Sequence, residues 1–228
     1  MKHVAIITAA GIGKRMGGSQ PKQYLELHGK PILCHTIEKF EAAKLIDGIV
    51  LVTDRNSLTL VKDQILKKCK APKVKWIVAG GEKRQDSVNN GLKAVPMGTE
   101  VVCVHDGVRP FITSELIDKS VEEAKAHGAC IVAIQMKDTI KRVDEEGRIV
   151  ETVERAGLWR AQTPQTFRYD VLESAMNQAL AEKFYGTDEA SLVEQYGHEI
   201  YVLAGNERNI KITTPEDLII AEAISGAI

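Results

Sequence analysis

The sequence lacks most of the features that place a chain in a special class at sight. Its four cysteines, Cys34, Cys69, Cys103 and Cys130, form no CxxC pair and no spacing of the CxxC/HxxxH kind. Neither a zinc site nor a disulfide framework is therefore expected. Cys103 and Cys130 stand in apolar runs and read as small buried residues. No run of about 18 apolar residues exists to span a membrane. The opening MKHVAIITAAGIGKRM holds too short an apolar stretch for a signal peptide. A cytoplasmic, reduced protein without a membrane partner is the expectation. An excess of one charge is missing too, with 30 Lys+Arg against 31 Asp+Glu and a formal net charge of −1. That balance argues against a coat for nucleic acid or an acidic membrane. Any charge that matters must be local.

What is present is an ordinary globular composition. The chain has 228 residues, 44% hydrophobic and 27% charged, enough apolar content for a sizeable core in a single domain, 1–228. Short β-branched runs recur at 3–8, 48–53, 74–79, 101–105 and 130–134, with amphipathic segments at 31–43, 57–69, 86–95 and 114–127. Continuous apolar strands alternating with helices predict a Rossmann-like α/β fold, a mainly parallel sheet flanked by helices. Thr214-Pro215-Glu216-Asp217 predicts the start of a last helix. Residues 138–155, two alternating runs around Glu145-Glu146-Gly147, read instead as a β-hairpin. It is too polar for core, and an isolated hairpin is marginal in water. A protruding arm of about 136–156 that packs on a second subunit is expected.

The chemistry gathers where strands end. After the first strand comes TAAGIGKRMGGSQPKQY (8–24), which fits neither the GxGxxG fingerprint, because Met16 holds the third glycine position, nor a P-loop, because Arg15 follows Gly13-Lys14. It remains a small-residue loop carrying Lys14, Arg15 and Lys22, of a size to cradle phosphate or to form a tight turn. VHDGVRPF (104–111) places Asp106 at the carboxyl end of another strand. A carboxylate facing a basic loop suits a Mg²⁺–triphosphate. His105, straight after an apolar run, reads as a packed residue, and Arg109 could serve a substrate phosphate or Asp106. GGEKRQDSV (80–88), with Asp86 or Ser87 able to cap a helix, Arg155, WRAQTPQTF (159–167) and Lys211 add polar groups at further strand ends. Several cations on one sheet edge in a neutral protein indicate an anionic substrate.

These motifs, AAGIGKRM with PKQY, GGEKRQDSV, VHDGVRP, DTIKR, LWRAQTPQTF, TDEAS and NIKITTPEDL, run in order along essentially the whole chain. In that order they resemble the 2-C-methyl-D-erythritol 4-phosphate cytidylyltransferase family. Thr8 stands where the family often has Pro, Glu82 where it often has Asp, and Gly107-Val108 where Ala-Ala is common. Ribitol-5-phosphate cytidylyltransferases share a VHDxVRP-like loop, but LWRAQTPQ and TDEAS look more like the methylerythritol enzymes. The resemblance implies a sugar-alcohol phosphate attacking the α-phosphorus of CTP, with Mg²⁺ as cofactor. Arg15 and Lys22 resemble the pair that stabilises the transition state, and Arg155 and Lys211 the pair that holds the acceptor phosphate. Asp106 would lie by the metal and CTP, with Gly107 in the same loop. Ala9, Ala10, Gly11, Gly13, Gly81, Glu82 and Ser87 would line the cytidine site. Arg109, Thr139 and Thr187 would stand near the acceptor. The arm would cross to a second subunit, giving a homodimer whose sites are shared.

Overall fold

Strand β1 (His3–Ala9) sets the plan of the molecule. Val4 and Ile6 pack into one apolar cluster, and Ala5, Ile7 and Ala9 into another on the opposite side. Both of its faces are thus buried, as the middle strand of a helix-covered sheet requires. The structure, a computed structural model, describes residues 1–11 and 21–226.

After β1, a two-stranded ribbon of β2 (Glu26–Leu27) and β3 (Lys30–Pro31) leads into α1 (Ile32–Ala42) and β4 (Gly48–Thr53). A short α2 (Leu58–Leu60) continues as a wider turn over Val61–Ile65 and a tighter one over Leu66–Lys68. Next come β5 (Val74–Ala79), α3 (Arg84–Lys93), β6 (Val101–Asp106), α4 (Ser114–His127) and β7 (Ala129–Gln135). The hairpin β8 (Ile140–Val143) and β9 (Ile149–Val153) follows, then β10 (Trp159–Arg168), α5 (Tyr169–Glu182), α6 (Glu189–Gln195), β11 (Tyr201–Ala204) and α7 (Pro215–Gly226). Among the described residues no helix is long and apolar enough to cross a membrane.

The seven-stranded sheet runs β11-β7-β10-β6-β1-β4-β5. β1 is parallel to β4 and β6, β4 to β5, and β11 to β7, whereas β10 is antiparallel to both its neighbours. One face is covered by α1 and α4 through Leu33, Ile37, Phe40, Ile117 and Val121. The other is covered by α3 and α5 through Val88, Leu92, Leu172 and Met176. Parallel pairing puts the carboxyl ends of β1, β4 and β6 on one edge, where Thr8 lies opposite Asp106 and Ala9 opposite Thr53. That shared edge positions the site.

Two features depart from the pattern read in the sequence. The segment 159–167, read as a polar cluster at a strand end, is most of a central strand. Its buried Gln162, Thr163, Gln165 and Thr166 are tolerated because each finds a partner. Gln165 donates to Asp188 Oδ2 (2.7 Å) and accepts from the Ala190 amide (3.0 Å), and Thr166 shares a hydrogen bond with Ser120 (2.9 Å). At the start of α3, Asp86 sits inside the first turn rather than ahead of it and accepts from the Lys83 amide at 3.0 Å. The hairpin β8–β9 forms a sheet of its own, with Ile149 and Val150 about two-thirds exposed at 64% and 63%.

Candidate active site

The edge formed by β1, β4 and β6 is closed on one side by the turn Lys22–Tyr24. Buried neighbours hold Lys22 there. Gln23 donates its amide to the Ala9 carbonyl (2.6 Å), and the Tyr24 hydroxyl meets Thr53 Oγ1 (2.6 Å). The opposite wall is the Gly80-Gly81 turn and the start of α3. A methyl group on Gly80 would lie 2.4 Å from Ala10 Cβ, and one on Gly81 2.3 Å from Asp86 Cβ. Only glycine lets this turn pack so closely on the end of β1 and on the start of α3. Ser87 Oγ braces the turn, accepting from the Gly81 amide (3.1 Å) and donating to the Lys83 carbonyl (3.1 Å). Between the walls opens a cleft lined by backbone and side chains of Thr8–Gly11, Lys22, Gln23, Gly81–Arg84, Ser87, Asp106, Val108 and Lys211.

Asp106 is the electrostatic centre of this cleft. Its carboxylate is 7% exposed and faces three cations: Arg84 Nε at 3.3 Å from Oδ1, and Lys211 Nζ at 2.9 Å and Arg109 Nε at 3.4 Å from Oδ2. Burial alone would raise the Asp106 carboxyl, but Arg84, Lys211 and Arg109 together hold it well below the usual carboxylate range. Arg84 is gripped from behind by Glu189, its Nη1 lying 2.6 and 2.8 Å from the two carboxylate oxygens. Arg109 is fixed by donating Nη1 to the Asn209 carbonyl (2.8 Å). With three cations against two carboxylates, the cluster carries an excess positive charge in a partly desolvated pocket, where charge acts strongly.

His105 is not presented to the cleft. It is fully buried against Phe40, ring centroids 5.0 Å apart, with Nε2 on the Arg109 carbonyl (3.1 Å) and Nδ1 on Thr163 Oγ1 (3.0 Å). The same Thr163 oxygen accepts the Asp106 amide (3.1 Å), so His105 and Thr163 set the backbone from which Asp106 projects. Burial pushes the imidazole down to about 4.

The sequence-derived candidates fall into four groups. Ala9, Ala10, Gly11, Lys22, Gly81, Glu82, Ser87, Asp106 and Lys211 line the cleft. Gly107 donates its amide to the Thr8 carbonyl (2.9 Å), closing the β6 end, while Arg109 lines an adjoining hollow that shares Lys211. Thr139 and Arg155 border a separate hollow at the arm, where Arg155 donates to the Lys137 carbonyl, and Thr187 is exposed just ahead of α6. Gly13 and Arg15 lie outside the described residues. Arg84 and Glu189 were not singled out by sequence reasoning. Both lie within motifs noted there, but their pairing spans 105 positions and leaves no local signal.

The family model described as 2-C-methyl-D-erythritol 4-phosphate cytidylyltransferase (IspD) matches residues 3–226. The chain belongs to this family. The 2-C-methyl-D-erythritol 4-phosphate cytidylyltransferase of Geotalea uraniireducens is 48% identical over 225 residues, covering 98% of this chain and 96% of its own. That of Alkaliphilus metalliredigens is 50% identical, with 98% and 92% covered. Among solved structures, the 4-diphosphocytidyl-2C-methyl-D-erythritol synthase of Anaerococcus prevotii superposes with a TM-score of 0.87 at 36% identity, covering 99% of this chain and 96% of its own. The mainly parallel, helix-flanked sheet described above is therefore the fold of an IspD-family enzyme.

Proposed function

We propose that this chain transfers a cytidylyl group from CTP to 2-C-methyl-D-erythritol 4-phosphate, releasing pyrophosphate. A phosphate oxygen of the acceptor attacks the α-phosphorus of CTP, the new P–O bond forms, and the bond to the β-phosphate bridging oxygen breaks. The observation that carries this reading is the Asp106 cluster, an ionised carboxylate ringed by Arg84, Arg109 and Lys211 at the end of β6 in a chain that matches the family over nearly its whole length. The nucleophile is already an anion, so the reaction needs no strong base. It needs two anions brought together and the charge at the α-phosphate offset.

In this reading the backbone of Ala9, Ala10, Gly11 and Gly13, with Gly81, Glu82 and Ser87, holds the cytidine. Arg15 and Lys22 draw charge from the triphosphate, and Asp106 and Gly107 border it. Lys211 and Arg109, with Thr187 beside α6, receive the acceptor phosphate. Thr139 and Arg155 stand on the exposed arm rather than in the cleft of their own chain, which supports a homodimer in which the arm, about 136–156, completes the neighbour's site. The single domain 1–228 would then work as a pair. Four unpaired cysteines suit a cytoplasmic setting.

The donor chemistry also fits a magnesium ion carried by the nucleotide. Among the described residues no group of three or more His, Cys, Asp or Glu could hold a metal. Asp106 stays ionised, and Mg²⁺ is commonly held by one or two carboxylates together with substrate phosphates. Asp106 is the residue that would hold it. Bound there, the ion would neutralise triphosphate charge. The test is the rate of pyrophosphate release from CTP and Mg²⁺ with a panel of acceptors. Preference for 2-C-methyl-D-erythritol 4-phosphate is expected, and preference for ribitol 5-phosphate would overturn the assignment of the acceptor.

A further inference from the structure

The four cysteines take no part in the reaction proposed above, and they divide into two pairs with different prospects. Cys103 on β6 and Cys130 on β7 both stand opposite Thr166 of β10. Two strand spacings, about 10 Å, therefore separate them, beyond the span that a disulfide bridges. Cys34 and Cys69 are placed otherwise. Cys34 lies in α1, and Cys69 is the extended residue, φ −131° and ψ 151°, that ends the tight turn Leu66–Lys68. Their thiols converge on one acceptor. Both donate to the Ile65 carbonyl, at 3.3 Å from Cys34 Sγ and 3.8 Å from Cys69 Sγ, and the two side chains also hydrogen-bond each other.

We propose that Cys34 and Cys69 are a dithiol modification site that reacts with a small-molecule disulfide, such as glutathione disulfide, and closes to an intrachain disulfide. Access sets the order of events. Cys34 has no exposed surface, whereas Cys69 is partly exposed. A thiolate, not a thiol, attacks a disulfide. The Cys34 S–H can donate to a Cys69 thiolate, so Cys69 ionises more readily than an ordinary cysteine, while that hydrogen bond and burial keep the proton on Cys34. The Cys69 thiolate attacks one sulfur of the reagent, the reagent's S–S bond breaks, and one thiolate departs to leave a mixed disulfide. The Cys34 sulfur then attacks the Cys69 sulfur, its proton passing to the second departing thiolate. The protein gives up two electrons and two protons, and the reagent leaves as two thiols. Cys69 stands at the end of an irregular stretch, a wide turn followed by a tight one, rather than inside a regular helix. It is therefore the side that shifts to bring the sulfurs to bonding distance.

The test incubates the folded protein with glutathione disulfide at neutral pH, alkylates the remaining thiols after denaturation, and maps the cysteines by mass spectrometry without reduction. Two of the four free thiols should be lost. Cys34 and Cys69 should appear in one linked pair of peptides, with Cys103 and Cys130 alkylated, and dithiothreitol should restore all four thiols. Cys34→Ser should stop at the mixed disulfide, with one glutathione held on Cys69. Cys69→Ser should react at least tenfold more slowly than wild type. The wild-type map decides the question even where a variant fails to fold. A glutathione adduct that persists on Cys69 in the wild type, four thiols left free, or linkage spread over all four cysteines overturns the inference. So does a folded Cys69→Ser that reacts as fast as wild type.

Discussion

Acid should unfold this protein partly through one residue. His105 has no exposed surface, and both its nitrogens are engaged. If Nε2–H donates to the Arg109 carbonyl and Nδ1 accepts from the Thr163 hydroxyl, the neutral ring is fully satisfied. A second ring proton would have to be buried as charge beside Phe40 and near the cations Arg84 and Arg109. Burial therefore lowers the group from 6.5 to about 4. Between those values the unfolded chain binds a proton that the native chain does not, so stability is full above the unfolded value and falls as the pH drops toward the folded one. A shift of this size corresponds to about 3 kcal/mol, about three-quarters of it lost by about pH 4.5 and the rest below the folded value. Urea unfolding at neutral pH and near pH 4.5 would measure the loss in wild type and in His105→Gln, whose amide can donate and accept in the same places. The other carboxylates and histidines are common to both proteins and cancel in the difference. The variant is expected to lose about 2 kcal/mol less on acidification to that pH. Equal losses in the two proteins would refute the reasoning.

Three further outcomes follow from the geometry. Gly80→Ala sets a methyl group 2.4 Å from Ala10 Cβ and 2.8 Å from Ser87 Oγ, and the turn must shift away from the end of β1 and from α3. Overpacking of this kind costs about 1–3 kcal/mol, and calorimetry is expected to show CTP affinity falling by more than tenfold. Lys22→Ala and Arg15→Ala should each lower kcat by orders of magnitude without unfolding, whereas Lys211→Ala should act mainly on acceptor kinetics; steady-state assays against both substrates separate these patterns. Replacing the exposed Ile149 and Val150 of the arm with aspartates should convert dimers to monomers in sedimentation and abolish turnover together, and an active monomer would contradict a shared site.

Much of the fold was legible because its strands are buried on both faces. The runs at 48–53 and 74–79 are strands β4 and β5 residue for residue, and Asp106 does end β6, since an apolar run that stops at a charged residue marks where the sheet meets solvent. β10 was not legible as a strand. Its buried Gln and Thr residues mimic a loop, and groups that satisfy them, Asp188, Asn206, Ser120 and His105, lie 23 to 58 positions away. The segment 169–195 carries no helix signal read from the sequence, yet α5 and the short α6 form there; α6 starts with Asp188 accepting the Ser191 amide at 2.9 Å. In the site, strand ends and glycine pairs pointed to the cleft, but the Glu189–Arg84–Asp106 chain is a product of topology alone. The 30 basic and 31 acidic residues cancel in the total. Only the fold shows three cations converging on one carboxylate.

The central claim is tested most directly by following phosphorus. The protein, CTP, Mg²⁺ and 2-C-methyl-D-erythritol 4-phosphate, watched by ³¹P NMR, should yield pyrophosphate and a cytidine diphosphate ester in equal amounts. That ester retains the α-phosphorus of CTP bonded through oxygen to the acceptor's phosphorus. Unchanged CTP and acceptor resonances, or release of pyrophosphate without the mixed diphosphate, would contradict the account.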